Sequence, residues 1–312
     1  MTLCFSFQAG NLAKDDYDRH IIKKDEAREA KRVAKEKCNT STCVIAVDLQ
    51  SVLLCPRLQA SAVYYHTKLQ LHNFSIFRLN DADVTLYVWN ETNGGVTANE
   101  FASCVVDYIN GLPAEIKEVI IISDGCSYQN RNRVLSSALS DTAKSKQIRI
   151  EQLILEKGHT MMEADSIHAT LEQVWKKQNI FAPTDYLCFM RQARPQHPYL
   201  VKTLDYTFFQ NFADLSTNFK SIRPGKCSGA ATVTDIRGLC YEPSGSVHYR
   251  VCHTDEWDEL PCRRPAAKNL IQPQQLYSEL LKITATKFKH LQQLKPLMPV
   301  DYHLFYDNLP HE

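Results

Sequence analysis

The chain has 312 residues, 44% of them hydrophobic and 23% charged, which supplies material for a large core and excludes a low-complexity or disordered class. Its formal net charge is +1, so no global basic field marks a polyanion binder, and any nucleic-acid site has to be a local groove. Eleven cysteines without a CxxC pair or a His/Cys run at zinc-finger spacing argue against a disulfide framework and a structural zinc site; they point to a reducing compartment, nuclear or cytoplasmic. The first residues lack a signal peptide's basic leader and apolar core, and no run reaches the ~18 apolar residues of a membrane span, so an intracellular chain without a membrane partner is expected.

Residues 11–37 are rich in Ala, Glu and Lys and poor in large apolar side chains, which predicts a solvated helix within a charged N-terminal segment, 1–40. From Cys43 the texture changes, and CVIAVDLQSVLLCP predicts a buried strand over 43–47 that runs into Asp48. Alternating segments over 66–77 and 84–89, joined by the turn cluster Asn80-Asp81-Ala82-Asp83, predict two more strands in a partly antiparallel sheet. Gly94-Gly95 breaks that pattern, and Thr97, Ala98, Asn99 and Glu100 open a helix with Phe101, Val105, Tyr108 and Ile109 at helical spacing.

The β-branched run Val119, Ile120, Ile121, Ile122 enters Ser123-Asp124-Gly125, which describes a strand buried on both faces and ended at a carboxylate. A helix over 131–143, a strand over 148–155, the Gly158-His159-Thr160 turn and a helix over 161–177 complete the order βββαβαβα. Beyond Pro183 the expectations are a strand over 186–190, a hairpin turning at Pro243-Ser244-Gly245, and a helix with a basic face through Lys282, Lys287, Lys289, His290 and Lys295. Cys227, Cys240, Cys252 and Cys262 read as ordinary buried thiols.

Asp48 and Asp124 at strand tips, with Glu163 and Asp165 at a helix start, form a metal-site hypothesis, because hard divalent cations take anionic oxygen ligands from separate elements. The element order and the acids at its first strand, fourth strand and last helix resemble the ribonuclease-H-like fold, whose superfamily includes ribonuclease H, retroviral integrases and the DDE/DDD transposases. The segments EKGHTMMEADSIHATLE and SDGCSYQNRN are similar, more narrowly, to uncharacterised transposon-derived proteins of animal genomes. The resemblance covers roughly residues 41–180. It implies an α/β, ribonuclease-H-like domain with a mixed sheet over 41–215 and a smaller hairpin-and-helix appendage over 216–312.

By that resemblance Asp48 would bridge two Mg²⁺ or Mn²⁺ ions, Asp124 and a third acid would complete the site, and Glu100 matches the extra glutamate used by ribonuclease H but not by integrases or most transposases, although a glutamate in a first helical turn is more often structural. The third acid stays open. A helical wheel puts Glu163 in line with Ile167, Leu171 and Val174 and Asp165 beside His168, whereas the Ala-Asp-x-Ile context favours Asp165. His159 could orient water or contact phosphate, and His168 reads as a packing or surface residue. Gln129, Asn130, Arg131 and Arg133 lie at a helix N-terminus, which suits either phosphate contact or capping, and Arg191 and Arg194 are further candidates for a basic cluster beside the acids.

Two functions follow. One is a metal-dependent nuclease or DNA strand-transfer core, favoured by the joint presence of Asp48, Asp124 and Asp165. The other is a catalytically silent, domesticated transposase fragment that binds nucleic acid or protein, favoured by near-zero charge and the lack of an N-terminal recognition domain. DNA is the expected partner, and a homo-oligomer is compatible with both.

Overall fold

The computed structural model describes residues 13–59, 65–156, 162–215, 219, 221–225, 227, 229–261 and 272–312. In chain order run α1 (Lys14–Glu36), β1 (Thr42–Leu49), β2 (Leu53–Cys55), β3 (Leu69–Arg78), β4 (Val84–Asn90), α2 (Ala98–Asn110) and β5 (Glu118–Ser123). They are followed by the single turn α3 (Ser127–Asn130), α4 (Arg133–Lys146), β6 (Arg149–Ile154), α5 (Glu163–Trp175), α6 (Pro183–Gln192), β7 (Leu200–Thr203) and the short β8 (Gln210–Asn211). The fold is α/β. Its mixed sheet places β1 at the centre, parallel to β5 on one side and antiparallel to β3 on the other, with β6 beyond β5 and β4 and β7 beyond β3.

Strand periodicity explains the two helical layers. Val119 and Ile121 of β5 point into a core shared with Phe101, Val105 and Ile109 of α2 and Leu135 and Leu139 of α4. Ile120 and Ile122 point the other way, onto Ala27 and Ala34 of α1 and Ala164 of α5. In β1, Cys43, Ile45 and Val47 join the first core, and Val44 and Ala46 join the second. Fully burying each large aliphatic side chain contributes roughly 1.5–3 kcal/mol, which fixes the strands whose tips carry Asp48 and Asp124. The expected solvated helix α1 is thus exposed along most of its length, with small residues seated on the sheet.

The expected strand over 186–190 is a helix, α6. Pro183 occupies its first turn, and Asp185 accepts hydrogen bonds from the backbone N–H of Phe181 (2.7 Å) and Ala182 (3.1 Å). Tyr186, Leu187 and Met190 are its buried stripe. The helix expected from Arg131 begins later, because Asn132 caps α4 by accepting from Leu135 N (2.8 Å).

The segment expected to form an appendage is built into the same architecture. β9 (Gly238–Tyr241) and β10 (Val247–Arg250) form the hairpin, with Gly245 at φ 92°, and β9 pairs antiparallel with β6, continuing the central sheet. Leu291 and Leu294 of α7 (Ala285–Leu294) and Tyr306 of α8 (His303–Asp307) are buried with Leu171 and Trp175 of α5 and Tyr186 and Met190 of α6. The basic face of α7 is partly neutralised, since Lys287 pairs with Glu91 (2.6 Å) and Lys295 with Asp307 (2.5 Å). Cys240 is buried as expected, Cys227 and Cys252 are exposed, and Cys262 lies outside the described residues. Among the described residues no helix is long and apolar enough to cross a membrane.

Candidate active site

The strands β1, β5 and β6 run parallel, so their carboxyl ends share one edge of the sheet. Strand order reverses at β1: β3 and β4 lie to one side, β5 and β6 to the other. The crevice at such a switch point is where open α/β sheets place ligands, and Asp48 stands there.

Asp48 is the last residue but one of β1, opposite Ser75 of β3, and its Oδ1 accepts from Leu49 N (2.9 Å). Asp124 follows β5 directly. Its Oδ1 accepts from Cys126 N (3.0 Å) and from Asn130 Nδ2 (2.8 Å), and Asn130 also donates to the Asp124 carbonyl (3.2 Å). Asp165, on the first turn of α5, accepts from Met162 N through Oδ2 (3.0 Å). One oxygen of each carboxylate is therefore held by the protein, leaving Asp48 Oδ2, Asp124 Oδ2 and Asp165 Oδ1 for other partners.

Burial, then the charge of Asp124 and, more weakly, that of Asp165 push the Asp48 carboxyl up to about 7. His168, one helical turn beyond Asp165, shares a hydrogen bond between Nε2 and Ser75 Oγ (3.1 Å) and brings Nδ1 to 3.9 Å from Asp48 Oδ2. Burial, opposed by Asp165, pushes its imidazole down to about 4. His168 is therefore neutral at pH 7, and its approach to Asp48 is not an ion pair. From the sequence His168 reads as a packing or surface residue. The sequence signal for its place at the acids is the helical wheel, which sets it beside Asp165.

The other candidates fall elsewhere. Glu163 pairs with Lys31 of α1 (2.9 Å). Glu100, fully buried, serves as a cap rather than an open ligand: it accepts from Gly95 N (3.0 Å), Thr97 N (3.0 Å), the Thr97 hydroxyl and the Tyr277 hydroxyl. His159 lies outside the described residues.

Of the four arginines expected in a basic cluster beside the acids, Arg131 alone, among the described residues, is held by a neighbour of one of those acids, through the Gly125 carbonyl. Arg131 is buried and donates to the carbonyls of Thr234, Ile236 and Gly125, so its charge knits the α3 turn to the segment before β9. Arg133 is exposed and donates to the Ala213 carbonyl (3.2 Å). Arg194 donates to the Ala82 carbonyl (3.0 Å) in the β3–β4 turn, which meets Val44, about 13 Å along β1 from Asp48. Arg191 is exposed on α6 one helical turn before Arg194. Gln129 is buried against the Tyr128 hydroxyl (2.8 Å). Asn130 donates to both the carbonyl and the carboxylate of Asp124.

A chain of buried hydrogen bonds supports that arrangement. The Asn130 carbonyl accepts from Gln152 Nε2 (3.1 Å), and the Tyr241 hydroxyl bonds Gln152 Oε1 (2.6 Å) and Ser136 Oγ (2.9 Å). Asp124 is thereby tied through α3 to β6, β9 and α4.

The donors fit a divalent cation in kind and charge: hard carboxylate oxygens, a neutral imidazole nearby, and a carboxyl whose pKa is raised by burial and then by the charges of Asp124 and Asp165. As they stand, no three His, Cys, Asp or Glu side chains among the described residues converge closely enough to hold an ion.

The shift on Asp48 carries a stability consequence. Its folded pKa lies above the unfolded value of about 3.9, so folding loses stability as pH rises from about 4 to 7, and the cost is complete above that. In metal-free buffer Asp48→Asn is expected to melt higher than the parent at pH 8, with the gap closing towards pH 4. Equal midpoints at pH 8 would refute the strained carboxyl.

No protein-family model and no curated protein matches this chain.

Proposed function

We propose that the chain is a ribonuclease-H-like core that cuts or joins DNA phosphodiester bonds with Mg²⁺ or Mn²⁺, of the transposase type. The observation that carries this reading is the placement of Asp48 at the switch point of the sheet, under the electrostatic influence of both Asp124 and Asp165. The order of the main elements, β1, β3, β4, α2, β5, α4, β6 and α5, supports it as well.

Asp48, Asp124 and Asp165 would hold the ions. When bound, these supply Lewis-acid stabilisation of the phosphate and an activated water or 3′-hydroxyl. Asn130 orients Asp124, and His168, anchored to Ser75, presents a neutral Nδ1 towards Asp48 from which a proton or water can be held. With Glu163 engaged by Lys31, Asp165 is the better third ligand.

A second reading, a silent nucleic-acid or protein binding module, is favoured by the open spacing of the acids and the burial of Arg131. The two separate in a divalent-metal-dependent cleavage assay on single- and double-stranded DNA, with Asp124→Asn beside the parent. Cutting by the parent alone supports the nuclease, and no cutting in any divalent metal supports the binding module.

A further inference from the structure

We propose that the groove between β2 and the carboxyl half of α5 binds the single DNA strand that leads away from the scissile phosphate, a proposal that rests on the nuclease reading. The groove has a volume of about 650 Å³, and its lining starts three residues beyond Asp48, at Ser51, and one residue beyond His168, at Ala169. Ser51 and Val52 on its wall follow the Asp48 strand after Gln50, and the opposite wall continues the α5 stripe of Asp165 and His168 through Glu172 to Lys176. From Asp165 to Lys176 the helix advances eleven residues, about 16 Å, so a strand leaving the acids along α5 runs the length of the groove.

Charge and surface fit a polyanion with unpaired bases. Arg57, Lys68 and Lys176 line the groove against a single acid, Glu172. Among the described residues none of these three cations is in an ion pair, whereas Lys31, Lys202, Arg237, Arg250 and Lys287 are all matched to carboxylates. Burial pushes the Lys68 ammonium down from its ordinary value, the mark of a cation held in a cleft without a compensating anion. Val52 and Leu54 stand at the groove 48% and 39% exposed, high for aliphatic side chains beside a core. Splayed bases of a single strand can cover such a surface, while a duplex keeps its bases stacked inside.

The test is binding of a fluorescent oligothymidylate, followed by anisotropy in EDTA across a salt series, so that no cleavage enters. The parent is expected to bind. Lys68→Ala/Lys176→Ala is expected to bind at least tenfold more weakly, with its log–log salt slope flattened by about 1.4, since each phosphate contact on a single strand contributes about 0.7. Lys117→Ala/Lys144→Ala, which removes two cations at the opposite edge of the sheet, is the control and is expected to bind as the parent does. Circular dichroism establishes equal folding. Parent-like binding by the groove variant, an equal loss in the control, or no binding by the parent would each overturn the groove assignment. Cleavage dependent on Asp124 can hold or fail independently of all three, so the two proposals are judged separately.

Discussion

Asp124→Asn is expected to lower divalent-metal-dependent DNA cleavage by a hundredfold or more while leaving the fold intact. The asparagine oxygen still accepts from Cys126 N and Asn130 Nδ2, the two bonds that set the turn after β5, so the local structure survives. What disappears is the negative charge that a hard dication needs. At about 1.4 kcal/mol per tenfold, losing roughly 3 kcal/mol of transition-state stabilisation accounts for the expected drop. The measurement is initial rates in Mg²⁺ and in Mn²⁺ for both proteins, with circular dichroism spectra overlaid. Equal rates would remove Asp124 from the reaction altogether. A milder drop for Asn130→Ala, which frees the Asp124 side chain without discharging it, is the companion result that separates positioning from ligation.

What the sequence made legible was local. The run Val119, Ile120, Ile121, Ile122 is buried on both faces, and Asp124 stands where the run ends, because period-2 geometry and an Asp-Gly turn act over a few residues. The capping pattern Thr97-x-x-Glu100 is equally local, and its position also matches a family glutamate, so the sequence leaves a structural and a ligand role open; the bonds its buried carboxylate accepts are those of a cap. The segment over 186–190 shows the opposite weakness. Its apolar residues suit a strand or a helix, and Pro183 with Asp185, the start signal, settles it.

Long-range pairing was not legible. Tyr241 reaches Gln152 across 89 positions and Arg131 reaches Thr234 across 103, and no spacing rule foretells such partners. For the same reason the sequence leaves Arg131 open between a phosphate contact and a cap at a helix start, and sets the hairpin in an appendage, whereas β9 pairs with β6.

Glu100→Ala is expected to be the most destabilising change considered, by about 3–5 kcal/mol, which corresponds to a fall of roughly 10 °C in melting temperature for a chain of this size. The carboxylate is fully buried and accepts from four donors, two of them the backbone N–H groups of Gly95 and Thr97. Truncation leaves those donors inside the protein without partners, and each bond to a charged group is worth roughly 1.5–3 kcal/mol, less than additively. The damage should spread, because Gly95 also carries the Trp89 indole on its carbonyl (2.9 Å) and Tyr277 is anchored only a few residues before α7. Glu100→Gln should lose less, since one oxygen still accepts while the new amide faces a donor. Thermal melts give the stability, and cleavage rates well below both midpoints give the chemistry. A structural glutamate predicts a large fall in midpoint with rates within a few-fold of the parent. A hundredfold loss of rate at an unchanged midpoint would return Glu100 to the metal site.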